Sequence, residues 1–362
     1  MSRGLGDVYK RQILGIVILL LLIPMDSRAT IEHLGSPASS SQLASPSAGY
    51  AGASFPCERP GWFPEEFGLK DHTVFQHDGL YYLASIYLSE AGNEQQFAYA
   101  SSPDFCQWTD LGGILRTRRP GGWDEYRIWA PFVYEEDGTY YLYDTGVTGV
   151  TGASEPEPLA QSIMLATTTD PSDPDSWTEI GVVFQPNHEV MIWGGFHTWS
   201  DCRDATVIPV GNLYYLYYTG LDYDPELRKS VGIVGLASST SPSGPWLDQG
   251  AIVRLPGAMP ESPTVAVHQG VYYLFYNHAG ANVLGGMVRH GPTPAGPWTQ
   301  ASHFRPGWAH EVWADQDGRP HTSYLTDYSV TIQRLTWDSF YDPPQPFIGE
   351  TIYRIFAPLV AR

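Results

Sequence analysis

Five copies of one short unit predict an all-β chain, a five-bladed β-propeller. Each copy is a short apolar strand, a turn built on Gly, and an aromatic or β-branched strand. A Pro- and Ser-rich turn then leads to a Trp, and the copies recur at roughly fifty to sixty residues. No stretch shows the apolar period of an amphipathic helix of about ten residues or more, which removes the α/β alternatives.

The first copy runs Asp71-His72-Thr73-Val74-Phe75, turns at Asp78-Gly79, and continues as Tyr81-Tyr82-Leu83. The second is Trp129-Ala130-Pro131-Phe132-Val133, Asp137-Gly138, Tyr140-Tyr141-Leu142-Tyr143. The third, Cys202-Arg203-Asp204-Ala205-Thr206-Val207, turns at Gly211 into Leu213-Tyr214-Tyr215-Leu216-Tyr217-Tyr218. The fourth is Glu261-Ser262-Pro263-Thr264-Val265, Gln269-Gly270, Tyr272-Tyr273-Leu274-Phe275-Tyr276. The fifth, His310-Glu311-Val312-Trp313-Ala314, turns at Asp317-Gly318 into a weaker strand ending Tyr324-Leu325. Trp108, Trp177, Trp246, Trp298 and Trp337 follow the units and read as wedges between packed sheets.

Composition narrows the partners. The 362 residues carry a formal net charge of −19, are 43% hydrophobic and 14% aromatic, and only 16% are charged. Nucleic acid is excluded as a partner, because phosphate binding needs clustered Lys and Arg. A neutral substrate suits this balance.

Three regions are expected along the chain. Residues 1–29 read as a secretory signal peptide, with Lys10 and Arg11 before the apolar run Ile13–Pro24 and the small Ala29 after it. That run falls short of the ~20 apolar residues a membrane span needs, so membrane contact is expected only if the segment stays uncleaved. Within it, residues 1–12 resemble translated sequencing adapter. Residues 30–56 are rich in Ser, Ala, Pro and Gly and read as a flexible linker. Residues 57–362 form the propeller. Cys57, Cys106 and Cys202 match no zinc spacing; in an exported chain Cys57 and Cys106, which flank the first unit, are the expected disulfide.

The leading residues of the five units are Asp71, Trp129, Asp204, Glu261 and His310. Propeller topology aims the innermost strands at one axial channel, so these residues are expected at one mouth. Asp78, Asp137 and Asp317 belong to turns, where Asp bonds its own backbone. Asp71, Asp204 and Glu261 precede apolar strands and serve no turn. Glycosidic cleavage uses such acids: one carboxyl protonates the leaving oxygen, and a second activates water from the opposite face, about 6.5–9.5 Å away, inverting the anomeric centre. A third carboxylate raises the acid's pKa by like-charge repulsion.

On these residues the chain resembles the five-bladed glycoside hydrolase clan that includes family 43 and, more distantly, family 32. Asp71, Trp129-Ala130-Pro131, Arg203-Asp204 and Glu261-Ser262-Pro263 carry the resemblance, which covers Phe67 to the C-terminus. It implies a secreted, inverting hydrolase of α-L-arabinofuranosides or β-D-xylosides, with Asp71 the general base, Asp204 the pKa modulator and Glu261 the general acid. It implies no redox cofactor, and a last-blade His, here His310, facing a hydrated Ca²⁺ or Na⁺ in the axial channel; a hydrogen-bonded core His is the alternative. The sequence departs from the pattern at His72 and Ala205, where Pro is usual, and lacks the family 32 Asn-Asp-Pro-Asn and Glu-Cys motifs. Sugar contacts are expected from Arg127, Trp129, Arg203, Trp193 and His197, the last two in an aromatic, Gly-bearing loop suited to stacking. The rival readings are a non-catalytic carbohydrate-binding propeller, and a related five-bladed glycosidase or phosphorylase acting on another glycan.

Overall fold

The structure, a computed structural model, describes residues 55–89, 94–117, 122–149, 159–186, 201–280, 285–305, 307–339 and 341–348. They form five antiparallel sheets with one short 3₁₀ turn, Pro174–Ser176, as the expected five-bladed β-propeller. Blade I comprises Gly68–His77, Leu80–Leu88, Gln96–Ser102 and Thr109–Arg116, paired in sequence order from the inside out. Blade II follows with Arg127–Glu136, Thr139–Gly149, Leu159–Thr168 and Thr178–Phe184. Blade III is Cys202–Val210, Leu213–Asp224, Lys229–Ser239 and Leu247–Leu255. Blade IV is Ala258–His268, Val271–Gly280, Gly286–Gly291 and Ser302–Arg305. Blade V has Trp308–Ala314 innermost, then Pro320–Thr326 and Ser329–Asp338. Its outer side is completed from both ends of the described chain, by Gly61–Trp62 and by Gln345–Ile348.

The inner hairpins close where the sequence places them. Asp78 and Gly79, Asp137 and Gly138, and Gln269 and Gly270 all have positive φ, which matches the twist of the strands they join. Blade V differs. Its Asp317-Gly318 lies in the longer loop from Asp315 to Arg319, where Asp315 Oδ1 accepts from the backbone N–H of Asp317 and of Arg319.

The Trp residues act as the expected wedges. Five apolar clusters form the core, one at each junction between blades, and each takes the Trp of the later blade. Trp177 packs between blades I and II, and Trp246 between II and III. Trp298 packs between III and IV, Trp337 between IV and V, and Trp108 between V and I. A second repeated joint accompanies them. Tyr99, Tyr143, Tyr217 and Tyr273 each donate a phenol proton to a carbonyl in the next blade, those of Pro171, Pro242, Pro294 and Pro344. A buried tyrosine needs a partner for its hydroxyl, and the Pro-bearing turn supplies one with no competing N–H of its own.

Cys57 and Cys106 form a disulfide with Cα atoms 6.0 Å apart, and Cys202 is a buried free thiol. Among the described residues no helix is long and apolar enough to cross a membrane; residues 1–54, with the expected signal and almost all of the expected linker, lie outside them.

Candidate active site

Every innermost strand carries a β-bulge near its start, and the bulges decide where the candidate residues sit. Pairing is interrupted between Lys70 and His72, Trp129 and Phe132, Arg203 and Thr206, Glu261 and Thr264, and Trp308 and Glu311. In four of the five the first bulged residue is left-handed: Ala130 at φ 47, Asp204 at 59, Ser262 at 52 and Ala309 at 50. A bulge bends its strand and re-aims side chains, which is how a flat strand presents several residues to one axis.

Aligning the innermost strands at their bulges gives four rungs, and the sequence expectation of one shared leading position needs correcting. The outermost rung holds Lys70, Trp129, Arg203, Glu261 and Trp308. The second holds Asp71, Ala130, Asp204, Ser262 and Ala309. His72, Pro131, Ala205, Pro263 and His310 form the third, and Thr73, Phe132, Thr206, Thr264 and Glu311 the fourth. Asp71 and Asp204 are therefore true equivalents. Glu261 sits one rung further out, with Trp129, and His310 one rung further in. The second, third and fourth rungs, apart from Thr73, line the axial opening, and the outermost rung surrounds its mouth.

Arg203 joins two of the three acids, Asp204 and Glu261, and adds Asp201. Its Nη2 donates to Glu261 Oε1 at 2.6 Å, its Nε lies 3.7 Å from Asp204 Oδ2, and its Nη1 pairs with buried Asp201. Burial works against the guanidinium, but Asp201, Asp204 and Glu261 outweigh it and keep Arg203 charged. Asp204 Oδ2 accepts from the Ser262 N–H and the Thr219 hydroxyl, each at 2.9 Å, and the Asp204 N–H donates to Thr145 Oγ1 at 3.3 Å. Those bonds fix its rotamer. Burial raises the Asp204 carboxyl above the usual range, and Glu261 adds to the rise while Arg203 opposes it.

Asp71 keeps some solvent access at the opening, yet burial and then the Asp204 carboxylate push its pKa up to about 7. Glu261 contributes in the same direction, against Lys70 and Arg203. Asp201, Asp204 and Glu261 thus share Arg203, while Asp71 feels that guanidinium and the neighbouring Lys70. A cluster with this excess of negative charge retains a proton near neutral pH, as acid–base chemistry requires.

The remaining expected residues divide. Trp129 and Arg127 lie at the blade I–II edge of the mouth, where both bond to buried Glu94: Trp129 Nε1 donates at 2.7 Å and Arg127 Nη1 at 3.3 Å. Trp193 and His197 lie outside the described residues. His310 lines the axial opening. Facing it is His72, which bonds Ser323 Oγ at 2.7 Å and whose pKa falls to about 3 through burial and then through His310. Among the described residues no group of three His, Cys, Asp or Glu side chains is arranged to hold a metal ion. Glu311, also at the opening, accepts from the Val74 N–H at 3.1 Å, and burial pushes its carboxyl well up.

Sequence reasoning missed Glu94, Asp201, Gln161 and Glu311. Asp201 had a readable signal, because an acid two residues before Arg203 on a strand shares its face. Gln161 Oε1 accepts from the Cys202 N–H at 3.1 Å and from Arg203 at 3.4 Å; nothing in the repeat marks it.

Residues 66–196 match the family model for glycosyl hydrolases family 43. A probable arabinan endo-1,5-alpha-L-arabinosidase C of Aspergillus niger is 32% identical over 145 residues, which are 38% of this chain and 38% of that protein's length. The fold is shared with an alpha-L-arabinofuranosidase from Lactobacillus brevis, at TM-score 0.57 and 16% identity over 81% of this chain and 97% of that one. It is shared as well with a sucrose-6-phosphate hydrolase from Lactobacillus gasseri, at TM-score 0.59 and 16% identity over 76% and 60%. In sequence over residues 66–196, and in fold, the chain is similar to glycoside hydrolases of family 43.

Proposed function

We propose that this chain is a secreted glycosidase that cleaves arabinose- or xylose-containing polysaccharides or their oligosaccharides with inversion. The observation that carries the reading is the gathering of Asp204 and Glu261 on Arg203 at the axial opening, with Asp71 near enough to feel all three charges. In this reading Asp71 is the general base. Its carboxylate, ionised above about pH 7, takes a proton from the attacking water. Glu261, on the outermost rung and one blade beyond Asp204, delivers a proton to the departing oxygen as the glycosidic bond breaks. Asp204 is held rigid by Ser262 and Thr219 and sets the charge around both. Arg203 fixes Glu261 relative to Asp204, and Trp129 and Arg127 border the sugar site.

The arabinan-type relative and the family match favour a pentose-containing substrate. The Cys57–Cys106 disulfide favours an oxidising compartment, as export through the expected signal would give. The test is sugar release from arabinan, arabinoxylan, xylan, fructan and agar oligosaccharides, with and without phosphate. The anomeric form of the first product is read by NMR. Release of the opposite anomer from a pentosan, independent of phosphate, is expected. Phosphate-dependent release would replace the reading with a phosphorylase, and binding without release with a carbohydrate-binding propeller.

A further inference from the structure

Glu94 lies outside the repeat, in the segment joining the second and third strands of blade I, and is 5% exposed. A buried carboxylate is costly unless paired, and this one collects three donors from two blades. Lys70 Nζ reaches it from blade I, and Arg127 Nη1 and Trp129 Nε1 from blade II. Its own carbonyl accepts from the Ile128 N–H at 3.0 Å, which pins the segment to the blade II strand. Lys70 and Trp129 are the blade I and blade II members of the outermost rung, the rung of Arg203 and Glu261. Glu94 therefore fixes the half of the mouth that the acids do not.

Lys70 also immediately precedes Asp71, and its charge works against the high proton affinity of that carboxyl. We propose that Glu94 is a positioning residue that holds the Lys70 ammonium away from Asp71 and locks the Trp129 indole and Arg127 guanidinium against the sugar. This rests on the glycosidase reading of the site. Glu94 pairs with both cations; in Glu94→Gln both lose that charged partner, and Lys70, the chain neighbour of Asp71, acts on its carboxyl unopposed. Asp71 then ionises at lower pH. The other titratable and charged groups around Asp71 are unaltered: His72 on its own strand, Arg203 and Asp204 from blade III, Glu261 from blade IV, and His310 and Glu311 from blade V.

The test compares Glu94→Gln, Glu94→Asp and Glu94→Gln/Lys70→Met with the parent chain. The acidic limb of kcat/KM against pH is expected to move down by about half a pH unit or more in Glu94→Gln. KM is expected to rise several-fold while kcat at its optimum holds within about two-fold, because the lost contacts act on binding. Glu94→Asp should recover part of both effects, and adding Lys70→Met should return the limb toward its parent position. A second readout needs no turnover: the pH dependence of Tm, taken as the difference between chains with and without Asp71→Asn, gives the Asp71 midpoint directly. An unmoved midpoint and an unmoved KM in folded Glu94→Gln overturn the proposal. A parent chain without glycosidase activity sinks the functional reading instead, and the Tm midpoint still decides the role of Glu94.

Discussion

Arg203 and Glu261 occupy the same rung on neighbouring blades, and the guanidinium of one donates to the carboxylate of the other at 2.6 Å. A position that the repeat makes equivalent has been filled with opposite charges, so the third and fourth blades are joined at the mouth by their own symmetry. Asp204 lies one residue beyond Arg203, within a bulge, at φ 59. That offset lets a cation and two acids share one small volume without stacking on one strand face.

Replacing Glu261 by Gln keeps the Arg203 contact available and removes only the proton. Turnover of glycosides with poor leaving groups is expected to fall by ~10²–10⁴-fold, while activated aryl glycosides lose far less. Steady-state kinetics on both substrate types checks this; equal losses would remove Glu261 as the acid.

Asp71→Asn is expected to abolish hydrolysis and leave the fold intact. It should also raise stability at alkaline pH. The folded carboxyl binds its proton more tightly than the unfolded one, with a pKa of about 7 against 3.8, so its contribution is fully present below pH 3.8 and declines as pH rises through about 7. Thermal melts from pH 4 to 9 should show the variant more stable than the parent above pH 7, with the gap closing toward pH 4.

The acidic limb of the parent pH–rate profile should fall near pH 7, where Asp71 ionises. Asp204→Asn removes the larger of the two carboxylate repulsions on Asp71, so that limb should move to lower pH in the variant's residual activity. Asn can still accept the Ser262 and Thr219 bonds, so the shift reports charge and not collapse. A limb that stays in place would count against the coupling.

Breaking the Cys57–Cys106 bond by Cys57→Ser/Cys106→Ser frees the segment ahead of Gly61–Trp62 from blade I. Its 49-residue separation corresponds to a loss of about 4 kcal/mol by loop entropy, read as a lower denaturation midpoint in urea. Activity per folded molecule should be unchanged.

Much of the fold was legible because its signals are local. The turns at Asp78-Gly79 and Asp137-Gly138 and the Trp after each unit need only a few residues to recognise, and they located blades and wedges together. The acids were legible as a set, but their rungs were not. A bulge adds a residue without disturbing the apolar pattern on either side of it, so Asp204 and Glu261 read as equivalents although Asp204 stands in the bulge and Glu261 before it. Glu94 was illegible for a different reason. It belongs to a connection that no other blade repeats, and its partners Lys70 and Trp129 lie 24 and 35 residues away in sequence.

The pairing of Gly61–Trp62 with Val330 and Thr331 sets an order on the making of the molecule. A ribosome delivers residues 61 and 62 early and the strand Ser329–Asp338 among the last of the described chain. The strand Gly61–Trp62 thus waits for all five blades to be made before it has its partner. Blades I to IV can form hairpin by hairpin as they appear, but the ring cannot lock until Ser329–Asp338 has been made. Arrest or truncation in the final blade therefore leaves an open arc of sheets with two unpaired edges, prone to join another chain in place of its own beginning.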